Sequence, residues 1–368
     1  MVETKIAPEK MAKMLNQWYG MIKRHQTAEA AALKEEIRSL LPHMDENQDL
    51  LIYFNLLDFR YKVLTEEKLE EADKAYCIIK GIGEENTDNM IVYYSLFFSG
   101  VYEFYKKNYV EAICFYQLAE AKLRNIPDQI EHAEFHYKIA EAYYQIDQHL
   151  ISISHALKAR SIFREHEEYK HRSIKCEMIL GANMYDMYRF SQAEEHYQKA
   201  LNEAKSSGFP KEVGIVYHNL GLIYDRKNIP KLAEEYFIKA IHIKEHLESI
   251  NGVRSLYMIA SVLYRNNQVA EARSWYDKGL EKAESLKEKE YEAKLKLIHA
   301  LYDCHNDSLI NEALQYLEQK NLWPDTSELN EQIAEYYLKQ GNLIKAVEYY
   351  KRALKAKNQI MKVMEALA

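Results

Sequence analysis

Apolar residues along this chain recur at helical spacing, in paired blocks separated by short polar turns. In YHNLGLIYDRKNIPKLAEEYFIKA, Tyr217, Leu220, Gly221 and Tyr224 share one face of a first helix. Ala233, Phe237 and Ala240 share one face of a second. The same template takes in Leu180, Gly181, Ala193, Tyr197 and Ala200 one block earlier, and Ala260, Ala272 and Tyr276 one block later. Further copies fall at Gly100, Ala112, Tyr116 and Ala119, at Ile139, Ala140, Tyr143 and Ala159, and at Ala334, Tyr337, Ala346, Tyr350 and Ala353. Residues 291–320 form a degenerate block that keeps little beyond Ala313. Small residues where two helices touch, with aromatics filling the groove beside them, are the pattern of a tetratricopeptide array. About seven helix pairs are predicted, coiled into a right-handed superhelix. The small positions Gly100, Ala140, Gly181, Gly221 and Ala260 step by 40, 41, 40 and 39 residues. That exceeds the usual period of about 34, so each helix is expected to run about a turn longer than in a standard unit.

The N-terminal 66 residues lie outside this pattern. Met11, Met14, Leu15, Trp18 and Ile22 make one helical stripe, and AEAAALKEEIRSLL makes a second helix that stops near Pro42. A third helix over QDLLIYFNLLDFRYKVL follows the acidic Asp45 and Glu46, with Leu50, Leu51, Phe54, Leu57 and Tyr61 as its apolar face. The chain therefore divides into an N-terminal three-helix bundle (1–66), a linker helix (67–90) and a repeat domain (91–368). The fold class is all-α.

Composition narrows the function. Eleven Gly and six Pro in 368 residues are too few to punctuate a β-sandwich or barrel. A formal charge of -7 provides no basic excess for a phosphate backbone. No apolar run approaches a membrane span and no signal segment opens the chain, which points to the cytoplasm. Cys77, Cys114, Cys176 and Cys304 form no CxxC pair and are expected as buried small hydrophobes. Nucleotide-cradling glycine loops and the GxSxG elbow are missing. His166 and His171 are five apart, off the metal-binding helical spacing. His132 and His136 have that spacing but are better read as core or interface histidines. No metal or cofactor of its own is expected.

The first helix of each pair should face the concave side of the array. That places Glu141 and Tyr144, then Asp186, then Asn219 and Asp225, then Arg254 along a groove. A carboxamide such as Asn219 donates and accepts at once, as an extended peptide backbone requires. The carboxylates favour a basic peptide group, and Arg254 and Arg265 suit a carboxylate.

The chain resembles the Rap family, the response-regulator aspartate phosphatases and regulators of spore-forming bacteria. The carrying segments are NQWYGMIK, MDENQDLLIYFNLLDFR, YYSLFFSGVYEFYKKNYVEAI, IEHAEFHYKIAEAYY, GANMYD and HNLGLIYD, spread from the first helix into the repeats. The resemblance implies a bundle that binds a response regulator or, in sequestering members, a transcription factor or mobile-element repressor. It also implies a repeat domain inhibited by a short Phr-type signal peptide. Gln48 matches the glutamine that serves catalysis in phosphatase members, with Asp49, Tyr53, Asn55, Asp58 and Phe59 framing the client contact. Asp186 and Asn219, with Asn183 as a further candidate, match the peptide-holding residues. Mg²⁺ would belong to the response regulator. Asn47 departs from the acidic residue that several phosphatase members carry before the glutamine. The expected coupling is that peptide in the groove packs the bundle onto the repeats and removes its client face.

Overall fold

The computed structural model describes residues 6–24, 26–65 and 89–365. Among these residues the backbone forms helices and one isolated bridge between Ile6 and Met44. The helices are α1 (Pro8–Lys23), α2 (Thr27–Leu40), α3 (Gln48–Thr65), α4 (Asn89–Tyr105), α5 (Tyr109–Leu123), α6 (Gln129–Gln145), α7 (His149–Phe163) and α8 (Lys170–Asp186). They continue as α9 (Phe190–Ser206), α10 (Pro210–Arg226), α11 (Pro230–Ile241), α12 (Lys244–Leu247), α13 (Ile250–Arg265) and α14 (Val269–Ser285). The last are α15 (Lys289–Tyr302), α16 (Asp307–Gln319), α17 (Trp323–Lys339) and α18 (Leu343–Glu365). The predicted linker helix falls almost wholly outside the described residues, as does Cys77. The fold divides into two compact units, Met1–Asn183 and Met184–Ala368.

In the first unit, α1–α3 form the expected bundle around Met11, Leu15, Trp18 and Ile22, all buried. Trp18 packs against Phe54 and Tyr61 at 5.6 and 6.1 Å between ring centroids. The third helix buries more than its predicted stripe: Tyr53, Leu56 and Phe59 are core as well, and Leu51 is exposed. The reason is that α3 is packed from two sides, by α1 and by α4. Close helix approach works as the small-residue pattern requires. A Cβ on Gly100 would come within 2.5 Å of the Tyr116 ring, so no larger residue fits without displacing that ring.

The second unit repeats the device. A Cβ on Gly221 would meet the Phe237 ring at 2.6 Å. Its core runs through Ala233, Phe237, Ile259, Ala260, Leu295, Ile298, Leu314 and Ile333. The degenerate block is thus a full helix pair whose core is carried by Leu and Ile instead of the motif aromatics. Each turn inside a helix pair carries one residue in the left-handed region, among them Asn228, Asn267 and Gly341 here and Lys107 and Asp147 in the first unit. Asn and Gly tolerate that conformation best.

The cysteine expectation holds for Cys176, which is buried, and fails for Cys114 and Cys304, which are exposed. Cys114 lies on an exposed side of α5 and Cys304 in the turn between α15 and α16, both outside the small-residue positions of the repeat.

Candidate functional site

The third bundle helix begins at Gln48 because Asn47 caps it. The Asn47 Oδ1 accepts from the Leu50 amide at 3.0 Å, satisfying one of the orphan donors of the first turn. The preceding chain is held by a two-way exchange with the N-terminus: the Ile6 amide donates to the His43 carbonyl and the Asp45 amide to the Ile6 carbonyl. Gln48 is therefore set on a fixed backbone, with its side chain exposed. Asp49, Leu51 and Asn55 are exposed on the same helix.

The other predicted client-contact residues are differently placed. Tyr53 is buried, its ring stacked on Tyr94 of α4, and its hydroxyl donates to Asn16 Oδ1 at 3.1 Å. Phe59 is fully buried against Tyr102. Asp58 is clamped by Lys34 at 2.7 Å and Lys62 at 3.1 Å. All three are engaged within the protein: α4 covers Tyr53 and Phe59, and Lys34 of α2 with Lys62 occupies Asp58.

A buried polar network ties the bundle to the repeats within the first unit. Glu131, at the start of α6, accepts from Tyr19 at 3.0 Å and from Tyr93 at 2.9 Å. Lys23 reaches Glu131 at 3.4 Å and Asp128 at 3.1 Å. Burial raises the pKa of Glu131, opposed by Lys23 and the two tyrosine hydroxyls. A second ion pair joins Arg172 to Glu134 through two hydrogen bonds of 2.5 and 2.9 Å, almost out of contact with solvent. Arg60, on the inward side of α3, is 6% exposed and has no hydrogen-bond or ion-pair partner among the described residues. Burial pulls its pKa down.

In the same unit Glu141 is held by Tyr137 and Lys138, each at 2.7 Å, and Tyr144 lies beside His149. Asn183 is a correction to the peptide-holding set. It is buried, and its amide donates to Ser152 Oγ and the Ile179 carbonyl, both at 2.9 Å. Its Oδ1 lies 3.0 Å from His149 Nδ1, so both ends of the carboxamide are engaged within the protein. His132 and His136 behave as interface histidines: the first bonds the Ile126 carbonyl at 2.7 Å and the second His155 at 2.9 Å.

The second unit contains the other predicted groove residues. Asn219 is half-buried, with no partner for its carboxamide among the described residues. Asp225 is taken by Arg265, whose Nη2 donates to both carboxylate oxygens at 2.7 and 2.9 Å, so Arg265 is not open to a carboxylate as expected. Arg254 is exposed, its guanidinium 5.8 Å from the Tyr291 ring centre. Asp186 is half-buried beside Tyr185. Arg226 lies over the Tyr185 and Tyr188 rings at 5.2 and 5.6 Å and comes within 3.8 Å of Glu328. Gln332 bonds Tyr302 at 3.3 Å and Ser261 at 3.4 Å. Side chains of α10 and α17 thus meet although several helices separate them in the chain. These contacts gather side chains of α10, α13, α15 and α17 on one face of the second unit. Glu328 and Gln332 belong to that face and carry no signal in a linear motif, since their partners are far away in sequence.

Among the described residues no group of three or more His, Cys, Asp or Glu is placed to hold a metal, and no helix is long and apolar enough to cross a membrane.

Comparison with known proteins bears on this geometry. The family model described as response regulator aspartate phosphatase H, N terminal, matches residues 5–66, and a tetratricopeptide-repeat model matches residues 215–246 and 327–360. The chain is 33% identical over 364 residues to Response regulator aspartate phosphatase I of Bacillus subtilis (strain 168), covering 97% of this chain and 93% of that protein. It superposes on a Rap protein crystallised with Competence and Sporulation Factor at a TM-score of 0.87 and 31% identity, covering 96% of this chain and 99% of the other. The Rap conjugation gene regulator of plasmid pLS20, solved with the Phr* peptide, aligns at a TM-score of 0.73 and 37% identity, covering 99% of both chains.

Proposed function

The chain belongs to the Rap family, and from that premise we propose that it is a peptide-gated phosphatase of a response regulator. The observation that carries this reading is the split character of α3. Its outward side presents Gln48 on a capped, immobilised first turn, and its inward side is packed on the first repeat helix through Tyr53 and Phe59.

Chemically, the client brings its own phosphoaspartate and Mg²⁺, which are substrate and not part of this protein. Gln48 accepts a hydrogen bond from water and aligns that water for in-line attack on phosphorus. Being neutral, it adds no negative charge beside the phosphoryl group. Asp49 and Asn55 supply polar contacts around it. The second unit binds the signal peptide: Asn219 pairs with its backbone, and Asp186, Arg226 and Arg254 select its charged groups. Docking of the bundle covers Tyr53 and Phe59, so a peptide that favours the docked form removes part of the client surface. Both partners act in the cytoplasm.

The test is loss of ³²P from a phosphorylated response regulator with this protein added, beside the Gln48→Ala variant. Accelerated loss that falls by roughly two orders of magnitude in the variant supports the proposal. A second reading is non-catalytic sequestration of a transcription factor or repressor, favoured by the 37% identity to the conjugation gene regulator and by Asn47 in place of an acidic residue. Under it, neither protein accelerates the loss and Gln48→Ala leaves client binding intact.

A further inference from the structure

One face of α18 is covered by no described helix, and a face open to water in a helical array is normally polar. In α18 it is apolar. The side turned to α17 is made by Ala346, Tyr349, Ala353 and Ala356, all buried. The opposite side presents Leu343 (63% exposed), Val347, Tyr350, Leu354 (60%) and Met361, with Ile344 (84%) beside them. Of the sixteen most exposed large apolar side chains among the described residues, seven lie on α17 and α18, counting Leu338. This concentration marks an interaction surface, since scattered apolar residues would need no explanation.

Spacing and charge define what the surface accepts. Positions 343, 347, 350, 354 and 361 follow the alternating three- and four-residue steps of a helix-packing seam, broken at Lys357, which pairs with Glu331. Lys351, Lys355 and Lys362 are exposed along one edge of the seam and have no ion-pair partner among the described residues. Glu348 is the one acidic residue between Leu343 and Lys362, against Lys345, Lys351, Arg352, Lys355, Lys357 and Lys362. The whole chain is acidic at -7, so this basic edge is local. Two copies of α18 laid antiparallel about Tyr350 would bring Lys351 against Lys351 of the second copy, which disfavours self-pairing.

We propose that α18 is a docking site for an acidic amphipathic helix of a partner protein, which packs its apolar stripe on Leu343, Val347, Tyr350, Leu354 and Met361 and sets carboxylates against Lys351, Lys355 and Lys362. The site is separate from Gln48 and from Asn219, and it does not depend on the phosphatase reading.

The probe is a labelled synthetic helix of about three heptads, with Leu at its seam positions and Glu along its flanks, titrated with the full chain by fluorescence anisotropy. Binding should weaken roughly tenfold for Lys351→Glu/Lys355→Glu and be lost for Val347→Glu/Leu354→Glu. The lysine-reversed variant should in turn prefer a Lys-flanked version of the probe. All four positions are exposed, and circular dichroism melting verifies that the variants fold. Equal binding of Glu- and Lys-flanked probes to the unmodified chain, or binding of neither, overturns the proposal. So does a dimer in sedimentation velocity that Leu354→Glu converts to monomer, because the face would then be a self-interface.

Discussion

The Tyr53 ring of the third bundle helix stacks on the Tyr94 ring of the first repeat helix, with centroids 5.4 Å apart and planes at 28°. Through this contact and the Glu131 network, the surface expected to meet the client is partly used up in holding the bundle against the repeats. The docked arrangement also contains a cost, because Arg60 is buried beside it with no direct ion pair, and burial outweighs the help of Tyr19 and Glu134.

That cost makes a prediction. Arg60→Met should stabilise the docked form by roughly 2 kcal/mol, since a buried guanidinium with no direct ion pair is replaced by an apolar chain of similar length. Urea unfolding measures it. Loss of stability would mean that the Arg60 guanidinium is well satisfied in solution.

The reassignment of Asn183 can be separated from the role of Asn219 by one pair of variants. Asn219→Ala should weaken signal-peptide binding roughly tenfold and leave the melting temperature unchanged, because its carboxamide has no internal partner. Asn183→Ala should do the reverse. It removes the donor to Ser152 Oγ, which keeps its own bond to the Ala140 carbonyl, and the partner of His149 Nδ1, and should cost about 2 kcal/mol of stability. Calorimetric titration and thermal melting read the two effects.

Arg172 and Glu134 form a buried pair whose members depend on each other. Arg172→Met alone should destabilise by about 3–5 kcal/mol, because it strands a buried carboxylate. The double variant Arg172→Met/Glu134→Met should be less destabilised than either single one. A double-mutant cycle in denaturant gives the coupling, and additive effects would contradict the pairing.

Acid should weaken the second unit. His218 Nδ1 and His246 Nε2 both bond the buried Ser255 hydroxyl, at 2.9 and 2.8 Å. Burial lowers the pKa of His218 to about 3, helped by His246 and Arg254, and burial lowers that of His246 to about 4. Both are depressed below the unfolded value of about 6.5, so unfolding takes up protons between pH 6.5 and 4. Stability contributed by the pair is complete above pH 6.5 and is lost as pH falls, at up to about 1.4 kcal/mol per pH unit for each histidine. Unfolding free energy measured from pH 7 to pH 4 should show this slope, and His218→Asn should reduce it by about one proton.

Much of the architecture was legible in the residues. The recurrence of Gly100, Ala140, Gly181, Gly221 and Ala260 places the helix pairs, because only a small side chain leaves room for the facing ring. Glycine and alanine at a helix crossing are a local requirement, visible in one dimension. The site was legible in part. Gln48 could be placed at a helix start from Asp45 and Glu46 before it, and it does begin α3. Its cap, Asn47, reads as a loss of charge in sequence and as a structural anchor in three dimensions.

What the sequence determined alone was the order of the repeat helices and the small positions at their crossings, since each depends on residues three or four positions apart. It misplaced part of the inner face of α3 and of α18, where Tyr349 is buried and Tyr350 exposed. Tertiary structure decided which polar groups are free. Tyr53, Asp58 and Phe59 are equivalent to Asn55 as members of one helix, yet the α4 side chains bury two of them and Lys34 and Lys62 occupy the third. Asn183 and Asn219 both lie on the first helix of a pair, two residues after and two before the small position, and Ser152 and His149 engage the first while nothing described engages the second. Availability of a side chain is set by partners distant along the chain, and helical periodicity contains no record of them.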